Sequence, residues 1–247
     1  MLNIFISGVT GRVGKILLNK IIQEPGLAIA GGSSSITNEF LGEDLGVYNG
    51  TEPLDLKITS FIEMKGNIDA IIDFSVPKNS INLLKFASEN SIPTLVGTTG
   101  FTEIQSKELH HLAKTFPLLV APNTSIGIVL IKRMLDALGS ELNLFSTPEI
   151  YERHHKEKKD SPSGTALDLA KKLSSIGSYA DDVSIESGRF GESSGEHKIT
   201  FKRENELIEI SHTALDRSLF ADGAIEAVKW ISGKPSGLYT MSDIYSS

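Results

Sequence analysis

The amino-acid sequence predicts an α/β protein, in which a covered parallel sheet is followed by a smaller α+β part. The first half of the chain alternates short apolar runs with segments whose apolar residues recur at helical spacing. A glycine-rich turn from Gly8 to Gly14 joins the first apolar run to the first helical segment. From about Ser125 onward this alternation stops. A repeated strand–helix order favours parallel strands with helices on both faces of the sheet.

The first half of the chain is expected to form the parallel sheet. Short apolar runs predict strands over residues 2–6, 27–30, 68–74, 94–96 and 118–120. Apolar residues at helical spacing predict helices over residues 16–22, 81–86 and 104–114. The run at 68–74 is almost entirely apolar, which is typical of a strand with both faces buried.

The second half is expected to be α+β. Helices are predicted over residues 128–138, 167–173 and 220–231, with Ser163 as a candidate cap of the second. The third could pack back on the first sheet. Strands are predicted over 149–154, 198–202 and 207–212, the last two as an antiparallel pair. The Gly- and Ser-rich stretch from Ser184 to Glu196 is expected to be a mobile loop.

The composition limits the classes of function. The 247 residues include 24 Lys+Arg and 31 Asp+Glu, and this net charge of −7 disfavours binding to nucleic-acid phosphates. The sequence has no Cys, which excludes disulfides, thiolate metal sites and thiol nucleophiles, and favours a reducing compartment. No apolar run approaches the roughly 20 residues that span a bilayer, and the N-terminal run is too short for a signal peptide. We expect a cytoplasmic protein with neither a nucleic-acid nor a membrane partner.

The glycine-rich turn indicates a nucleotide site. Its spacing is G-x-x-G-x-x-G, at the place where glycines allow a tight turn, close approach to a pyrophosphate and close helix packing. The helix that follows would offer free N–H groups to the anion. The alternative is an ordinary strand–turn–helix with structural glycines. Polar turns after two later strands, residues 97–100 and 121–124, support a cofactor crevice, although each alone is also typical of a plain turn.

The end of the second strand bears on the choice of cofactor. An NAD site usually carries an acid there, which binds the ribose 2′-hydroxyl. This chain has Gly-Gly-Ser-Ser-Ser at 31–35 and no carboxylate until Glu39. Small hydroxyl groups would tolerate a 2′-phosphate, and Arg12 could reach it. We therefore expect NADPH to be accepted at least as well as NADH, the alternative being that the serines only form a polar turn.

The segment from Glu149 to Ala166 contains a candidate acid and a candidate anion site. On a regular strand the adjacent His154 and His155 point to opposite sides, so one of them could donate a proton into a pocket. Three lysines follow, and then a predicted helix start at 163–165 with free N–H groups. These features predict a pocket for a small carboxylate, the alternative being a solvated basic loop before a capped helix. No metal site is expected, because adjacent histidines without Cys or H-E-x-x-H spacing make a poor ligand set.

The remaining histidines are given no function. His110 and His111 fall in a helical stretch between lysines, and they are expected at the surface. His197 and His212 fall on predicted strands, and the sequence assigns them no role.

The chain resembles the 4-hydroxy-tetrahydrodipicolinate reductase family over essentially its whole length. The most specific segment is E-x-x-E-x-H-H-x-x-K-x-D-x-P-S-G-T-A, at 149–166. Segments at 73–77, 96–101 and 123–127 are similar to family segments in the same order. The sequence departs from some members at Thr10, where they have another Gly, and at Ser34 and Ser35, where they have an acid and a base. The second departure leaves the choice between NADH and NADPH open.

The resemblance implies a fold, a reaction and a set of site residues. It implies a Rossmann-like dinucleotide-binding domain at 1–124, an α+β substrate-binding and oligomerisation domain at 125–213, and a segment at 214–247 that returns to the first domain. It implies NAD(P)H-dependent reduction of a small dicarboxylate in diaminopimelate and lysine biosynthesis by a homotetramer. His154 and Lys158 would donate protons, and His155, Gly164 and Thr165 would bind substrate. The cofactor residues would be Gly8, Val9, Thr10, Gly11, Arg12, Val13, Ser34, Gly97, Thr98, Thr99, Ala121, Pro122, Asn123 and Thr124.

Two other classes of protein remain open from the residues alone. One is a different nicotinamide oxidoreductase, although no Tyr has a Lys four positions later and an acyl-enzyme Cys is lacking. The other is a non-catalytic module that senses dinucleotides, which would not need the histidine and lysine segment. A measurement of turnover distinguishes such a sensing module from an enzyme.

Overall fold

The computed structural model describes residues 1–62, 67–177, 179 and 182–245. The chain divides into two compact units, here called unit 1 and unit 2. Unit 1 is Met1–Thr124 with Phe220–Ser247, and unit 2 is Ser125–Leu219. The sequence placed the domain boundary after residue 124 and the start of the returning segment at 214. In the structure the residues 214–219 group with unit 2.

The strands and helices follow in chain order. The strands are β1 Leu2–Ser7, β2 Leu27–Ser33, β3 Ile58–Thr59, β4 Ala70–Asp73, β5 Thr94–Val96, β6 Pro117–Val120, β7 Glu149–His154, β8 Ser184–Arg189, β9 Glu196–Arg203, β10 Glu206–Thr213 and β11 Gly237–Tyr239. The helices are α1 Arg12–Gln23, α2 Leu45–Asn49, α3 Pro77–Glu89, α4 Glu103–Leu112, α5 Ile126–Leu138, α6 Gly164–Ile176, α7 Ser218–Ile231 and α8 Met241–Ile244, with a 3-10 helix at Gly139–Leu144.

Unit 1 is built on a parallel sheet, which confirms the predicted α/β class. Its strand order is β11-β6-β5-β4-β1-β2-β3, and the neighbouring strands pair in parallel. All four residues of β4 are buried, as expected for a central strand covered on both faces. Because β11 pairs with β6, the C-terminal segment completes this sheet at one edge.

Unit 2 is built on a mixed sheet in the order β10-β9-β7-β8. β7 pairs with β8 in parallel and with β9 antiparallel, and β9 and β10 form an antiparallel hairpin. The helices α5 and α6 supply apolar side chains to a core that also contains Ile150, Ile199 and Phe201 from the strands. These strand residues alternate with outward-facing polar residues, so each strand presents one face to the helices.

The prediction of a mobile loop over Ser184–Glu196 is wrong in its first part. Residues 184–189 form β8, which pairs residue by residue with β7 from Glu149↔Ser184 to His154↔Arg189. The strand has few apolar residues, so its composition resembles a loop. Its backbone hydrogen bonds to β7 fix it in the sheet, and a parallel partner far along the chain leaves no local signal.

None of the helices in the described part of the chain is both long enough and apolar enough to cross a bilayer.

Candidate active site

The glycine turn of unit 1 is held tightly between β1 and α1. Gly8 has a φ of +80°, and a Cβ atom on it would lie 2.3 Å from the carbonyl oxygen of Phe74. A Cβ atom on Gly14 would lie 2.1 Å from the carbonyl oxygen of Gly8. Both distances are too short for any side chain, so the turn requires glycine at these two positions. The close packing brings the start of α1 against the end of β1.

The start of α1 is suited to an anion. Gly11 is its N-cap and has no side chain to occupy the first N–H groups of the helix. The hydroxyl groups of Thr10 and Ser34 are hydrogen-bonded, and Asn38 donates from Nδ2 to Thr10 Oγ1 at 3.2 Å. The turn after β2 is therefore tied to the glycine turn. These residues fit a dinucleotide, because a side chain would fill the cradle that the glycines leave open.

The polar turns after β5 and β6 lie at the same edge of the sheet as the glycine turn, because all these strands run in parallel. Thr98 donates from Oγ1 to the buried Asp73 at 3.0 Å and accepts from the Ser75 backbone at 3.0 Å. Thr124 donates to the carbonyl oxygen of Phe220 at 2.7 Å. The structure thus brings together all the segments predicted to bind cofactor in unit 1, although Thr98 and Thr124 use their hydroxyl groups within the protein.

In unit 2, β7 places Glu152 and His154 side by side on the buried face of the sheet. Residues two apart on a strand share a face, and these two residues are 0% and 7% exposed. Nδ1 of His154 lies 2.5 Å from Oε2 of Glu152. His155 follows the end of the strand and is half-buried, with its backbone N–H bonded to the carbonyl oxygen of Ser193 at 2.9 Å. Of the two adjacent histidines, His154 is the one that enters the buried cluster.

The second oxygen of Glu152 is also engaged. Oε1 accepts from Nη2 of Arg189 at 2.6 Å and from the backbone N–H of Ser163 at 3.2 Å. Burial alone would raise the pKa of this carboxyl, but the hydrogen bonds from Arg189 and His154 outweigh it and lower the pKa to about 2. Glu152 is therefore a carboxylate throughout the physiological pH range.

His197 completes this buried cluster. Its ring meets that of His154 edge-on at a centroid distance of 5.2 Å, and its Nε2 lies 3.2 Å from Oγ of Ser163. Burial, followed by the nearby charge of His154, lowers the pKa of His197 to about 3, so the ring is neutral. Its Nδ1 finds no hydrogen-bond partner among the described residues.

Glu152, His154 and His197 also place nitrogen and oxygen atoms within 4.8 Å of one another, as a metal site would. Arg189 already neutralises the carboxylate, and His154 occupies its other oxygen. A guanidinium on the same carboxylate opposes a second cation. The hydrogen bonds describe an ionised carboxylate that orients a histidine.

The loop after β7 and the start of α6 provide positive charge and amide donors. Lys158 is half-buried and pairs with Asp160 at 2.8 Å, whereas Lys156 and Lys159 are exposed. α6 begins at Gly164, and its cap Ser163 accepts from the Ala166 N–H at 3.2 Å. This bond confirms Ser163 as the cap.

The charges around His154 oppose one another. Burial lowers the pKa of the His154 imidazole, and the positive charges of Lys158 and Arg189 lower it further. The hydrogen bond and charge of Glu152 act in the opposite direction but do not fully compensate. A dianionic ligand would favour the protonated ring, because it would add negative charge at this place.

Comparisons with known proteins decide the family. The family model described as dihydrodipicolinate reductase, N-terminus, matches residues 2–124. The model described as dihydrodipicolinate reductase, C-terminus, matches residues 127–245. The chain belongs to the dihydrodipicolinate reductase family. The resemblance inferred from the sequence is thereby confirmed.

Relatives and a solved structure agree with this assignment. A 4-hydroxy-tetrahydrodipicolinate reductase of Myxococcus xanthus (strain DK1622) is 33% identical over 264 residues, covering 99% of this chain and 97% of the relative. Another, of Syntrophotalea carbinolica (strain DSM 2380 / NBRC 103641 / GraBd1), is 32% identical over 267 residues, covering 99% and 98%. A structure of dipicolinate-bound dihydrodipicolinate reductase from Paenisporosarcina sp. TG-14 matches with a TM-score of 0.76 and 21% identity over 97% of each chain. This last likeness supports the fold.

Membership in the dihydrodipicolinate reductase family confirms the predicted function. The protein is an oxidoreductase that catalyses the reduction step of this family in diaminopimelate and lysine biosynthesis. Its N-terminal half is the dinucleotide-binding domain of this family, which supports a nicotinamide cofactor.

Sequence reasoning missed four residues of this family member's buried cluster. The sequence analysis gave no role to Glu152 or His197. It predicted Ser163 only as a helix cap, and it placed Arg189 in a mobile loop. The two-residue period of a strand was the available signal for Glu152, since it puts that side chain on the face of His154. His197 enters through the β7–β9 pairing, in which Glu152 lies opposite His197. His110 and His111 are exposed on α4, as predicted.

Proposed function

We propose that this protein reduces (2S,4S)-4-hydroxy-2,3,4,5-tetrahydrodipicolinate to (S)-2,3,4,5-tetrahydrodipicolinate. The reaction consumes one NAD(P)H and one proton, and it releases NAD(P)⁺ and one water molecule. The observation that carries the proposal is the buried His154–Glu152 pair in unit 2, with Lys158 among the charges that act on His154. Such a set provides a proton donor and positive charge for a dianionic substrate.

Binding of the dicarboxylate is assigned to the end of the loop and the start of α6. Lys158 supplies a positive charge, and the backbone N–H groups of Gly164 and Thr165 supply directed donors at the helix N-terminus. His155 is the fourth substrate-binding residue of the proposal. One carboxylate held by amides and one by a cation would fix the orientation of the ring relative to His154.

Proton delivery is assigned to His154, with Lys158 as a second donor. When bound in unit 1, the reduced nicotinamide supplies the hydride. Loss of the 4-hydroxyl group as water and addition of the hydride would leave an electron-rich carbon–nitrogen system on the substrate, which must take up a proton. His154 donates it from the ring nitrogen that does not face Glu152. A positioned acid of this kind contributes roughly 10²- to 10⁴-fold in rate.

The cofactor is assigned to the carboxyl edge of the unit 1 sheet, and NADPH is expected to serve at least as well as NADH. Arg12 is exposed at the first position of α1, and residues 31–35 contain no carboxylate. Ser34 is hydrogen-bonded to Thr10 of the glycine turn. A 2′-phosphate at this place would meet a guanidinium and hydroxyl groups, with no acid in residues 31–35 to repel it.

We also propose a cytoplasmic homotetramer without nucleic-acid or membrane partners, assembled through the sheet of unit 2. The face of this sheet opposite α5 and α6 forms an open groove lined by Tyr151, Lys198 and Leu207 among others. Leu207 is 55% exposed in the single chain. An apolar side chain among complementary charges suits contact with a second copy.

Oxidation of NADPH and NADH, followed by absorbance at 340 nm, tests the function. The substrate is generated in the cuvette from pyruvate and aspartate semialdehyde by the synthase of the preceding step. We expect oxidation that depends on the synthase and both of its substrates. Cofactor binding without such oxidation would instead indicate a dinucleotide-sensing module or another substrate.

A further inference from the structure

Glu152 connects three parts of unit 2 through one buried carboxylate. One oxygen faces Nδ1 of His154 on β7 at 2.5 Å. The other accepts from Arg189 on β8 at 2.6 Å and from the backbone N–H of Ser163, the cap of α6, at 3.2 Å. The side chain is fully buried, so water does not compete for these bonds. The proton donor and the anion-binding helix start therefore share a single anchor.

This contact fixes which nitrogen of His154 can exchange a proton. A carboxylate only accepts hydrogen bonds, so the His154 nitrogen that faces it, Nδ1, must carry a hydrogen. In the neutral ring Nε2 is then unprotonated, and protonation of the ring adds the second hydrogen at Nε2. The exchangeable proton is placed on the side of the ring away from the carboxylate.

Resting on the proposed function, we propose that Glu152 is the positioning residue for His154, holding it in the Nδ1–H tautomer and tying it to the substrate-binding start of α6. Glu152 touches no substrate in this proposal and acts through His154 and Ser163. An ionised carboxylate of this kind also stabilises the imidazolium when His154 is protonated.

The groups facing His154 show why its protonated form depends on Glu152. Lys158 from the loop and Arg189 from β8 are positive, and His197 from β9 is a neutral ring in edge contact. Glu152 is the negative group in this set. Removing its charge leaves only burial and positive neighbours, so His154 would hold its proton less tightly.

Arg189 has a separate part in the same arrangement. Besides Glu152, its Nη2 donates to the carbonyl oxygen of Asp160 at 2.7 Å, and its Nη1 donates to that of Gly188 at 2.7 Å. It therefore fixes the loop that carries Lys158 against β8. We expect Glu152 to set the tautomer and the pKa of His154, and Arg189 to set the position of the loop that carries Lys158.

Nitrogen NMR of the wild-type protein tests the tautomer without any variant of Glu152. Long-range ¹H–¹⁵N spectra distinguish the two ring nitrogens, and the signals of His154 are those lost in His154→Gln. We expect a protonated Nδ1 and an unprotonated Nε2 at a pH where the ring is neutral. A ring protonated at Nε2 would overturn the proposal, whether or not the protein shows turnover.

Two variants then separate the parts of Glu152 and Arg189. Glu152→Gln keeps the size but loses the charge, and we expect kcat to fall roughly 10- to 100-fold, which is only a part of the roughly 10²- to 10⁴-fold contribution of a general acid. In the plot of kcat/KM against pH, the high-pH limb should move about one pH unit lower, because His154 would lose its proton at lower pH. Arg189→Lys should mainly raise KM and leave this limb in place.

The control is Asp168→Asn, which removes an ion-paired carboxylate from α6 in the same unit and should leave the pH profile unchanged. An unshifted profile with near-wild-type kcat in Glu152→Gln would overturn the positioning role. Absence of turnover in the wild-type protein would instead overturn the proposed function, since the tautomer measurement does not depend on turnover.

Discussion

Nζ of Lys158 lies 2.8 Å from Oδ1 of Asp160, so the lysine assigned to the substrate is already paired with a carboxylate of its own loop. The backbone of Gly164 also favours the ionised form of the Asp160 carboxyl. Burial alone would raise the pKa of Asp160, but these contacts outweigh it and lower the pKa. Asp160 thus occupies two of the groups proposed to hold a substrate carboxylate, which would have to replace it.

Asp160→Asn should therefore strengthen dicarboxylate binding. Removing the competing charge frees Lys158, and an exposed ion pair is worth about 0.2–1 kcal/mol, so we expect binding to tighten up to roughly five-fold. Calorimetry with pyridine-2,6-dicarboxylate as the probe measures this. Glu157→Gln, which removes a charge from the same loop, is the matched control. Weaker binding in Asp160→Asn would show that Asp160 orients Lys158 and does not compete.

His154→Gln and Lys158→Ala should each lower turnover with little change in cofactor binding. Loss of the acid is expected to reduce kcat by roughly 10²- to 10⁴-fold, while the cofactor residues in unit 1 are untouched. Steady-state kinetics and fluorescence titration of NADPH provide the two readouts.

Lys159→Ala is the control for the lysine, because Lys159 is exposed beside the half-buried Lys158. It should retain near-wild-type turnover. If turnover fell as far in Lys159→Ala as in Lys158→Ala, the register assigned to this loop would be wrong.

The stability of the protein should fall in acid because His197 is buried in its neutral form. Its pKa is about 3 in the folded protein against an ordinary value of 6.5. Below pH 6.5 the unfolded chain therefore binds a proton that the folded chain does not, and the free energy of unfolding decreases by up to about 1.4 kcal/mol per pH unit. His154 and His212 act in the same direction, since burial also lowers the pKa of each.

Urea unfolding between pH 7 and pH 5 measures this effect above the range in which Glu152 titrates. His197→Gln should reduce the slope of stability against pH by about 1 kcal/mol per unit. His111→Gln, at an exposed position on α4, should leave the slope unchanged. An unaltered slope in His197→Gln would mean that His197 does not carry the acid sensitivity.

Arg12→Ala should discriminate against NADPH. A guanidinium that contacts the 2′-phosphate contributes a charge-assisted hydrogen bond of about 1.5–3 kcal/mol, so KM for NADPH should rise at least ten-fold while KM for NADH changes little. Lys15→Ala is the control. Lys15 lies on α1 like Arg12, but its Nζ lies over the ring of Tyr48, 5.2 Å from the ring centroid. Equal effects on the two cofactors would contradict the assignment of Arg12 to the 2′-phosphate.

Much of unit 1 was predictable because its elements carry strong local signals. Apolar strands such as β4 and amphipathic helices such as α1 are visible in the sequence, and the glycine turn marks their junction. The short strands β3 and β11 were not predicted, since Ile58–Thr59 and Gly237–Tyr239 are neither apolar runs nor long enough to show a period.

The buried cluster of unit 2 was predictable only in part. The motif located His154 and Lys158, and the strand period could have added Glu152. The positions of Arg189 and His197 depend on how β8 and β9 pair with β7. This register is set by contacts between segments more than 30 residues apart, which no local pattern encodes.

The most direct test of the central claim is to follow deuterium from the cofactor into the product. The reaction is run in ordinary water with NADPH carrying deuterium at the transferable position, and the product is analysed by mass spectrometry. We predict a gain of one carbon-bound deuterium per product molecule in the wild-type protein, formed far more slowly in His154→Gln. A product without deuterium, despite consumption of the cofactor, would contradict direct hydride transfer to the dicarboxylate.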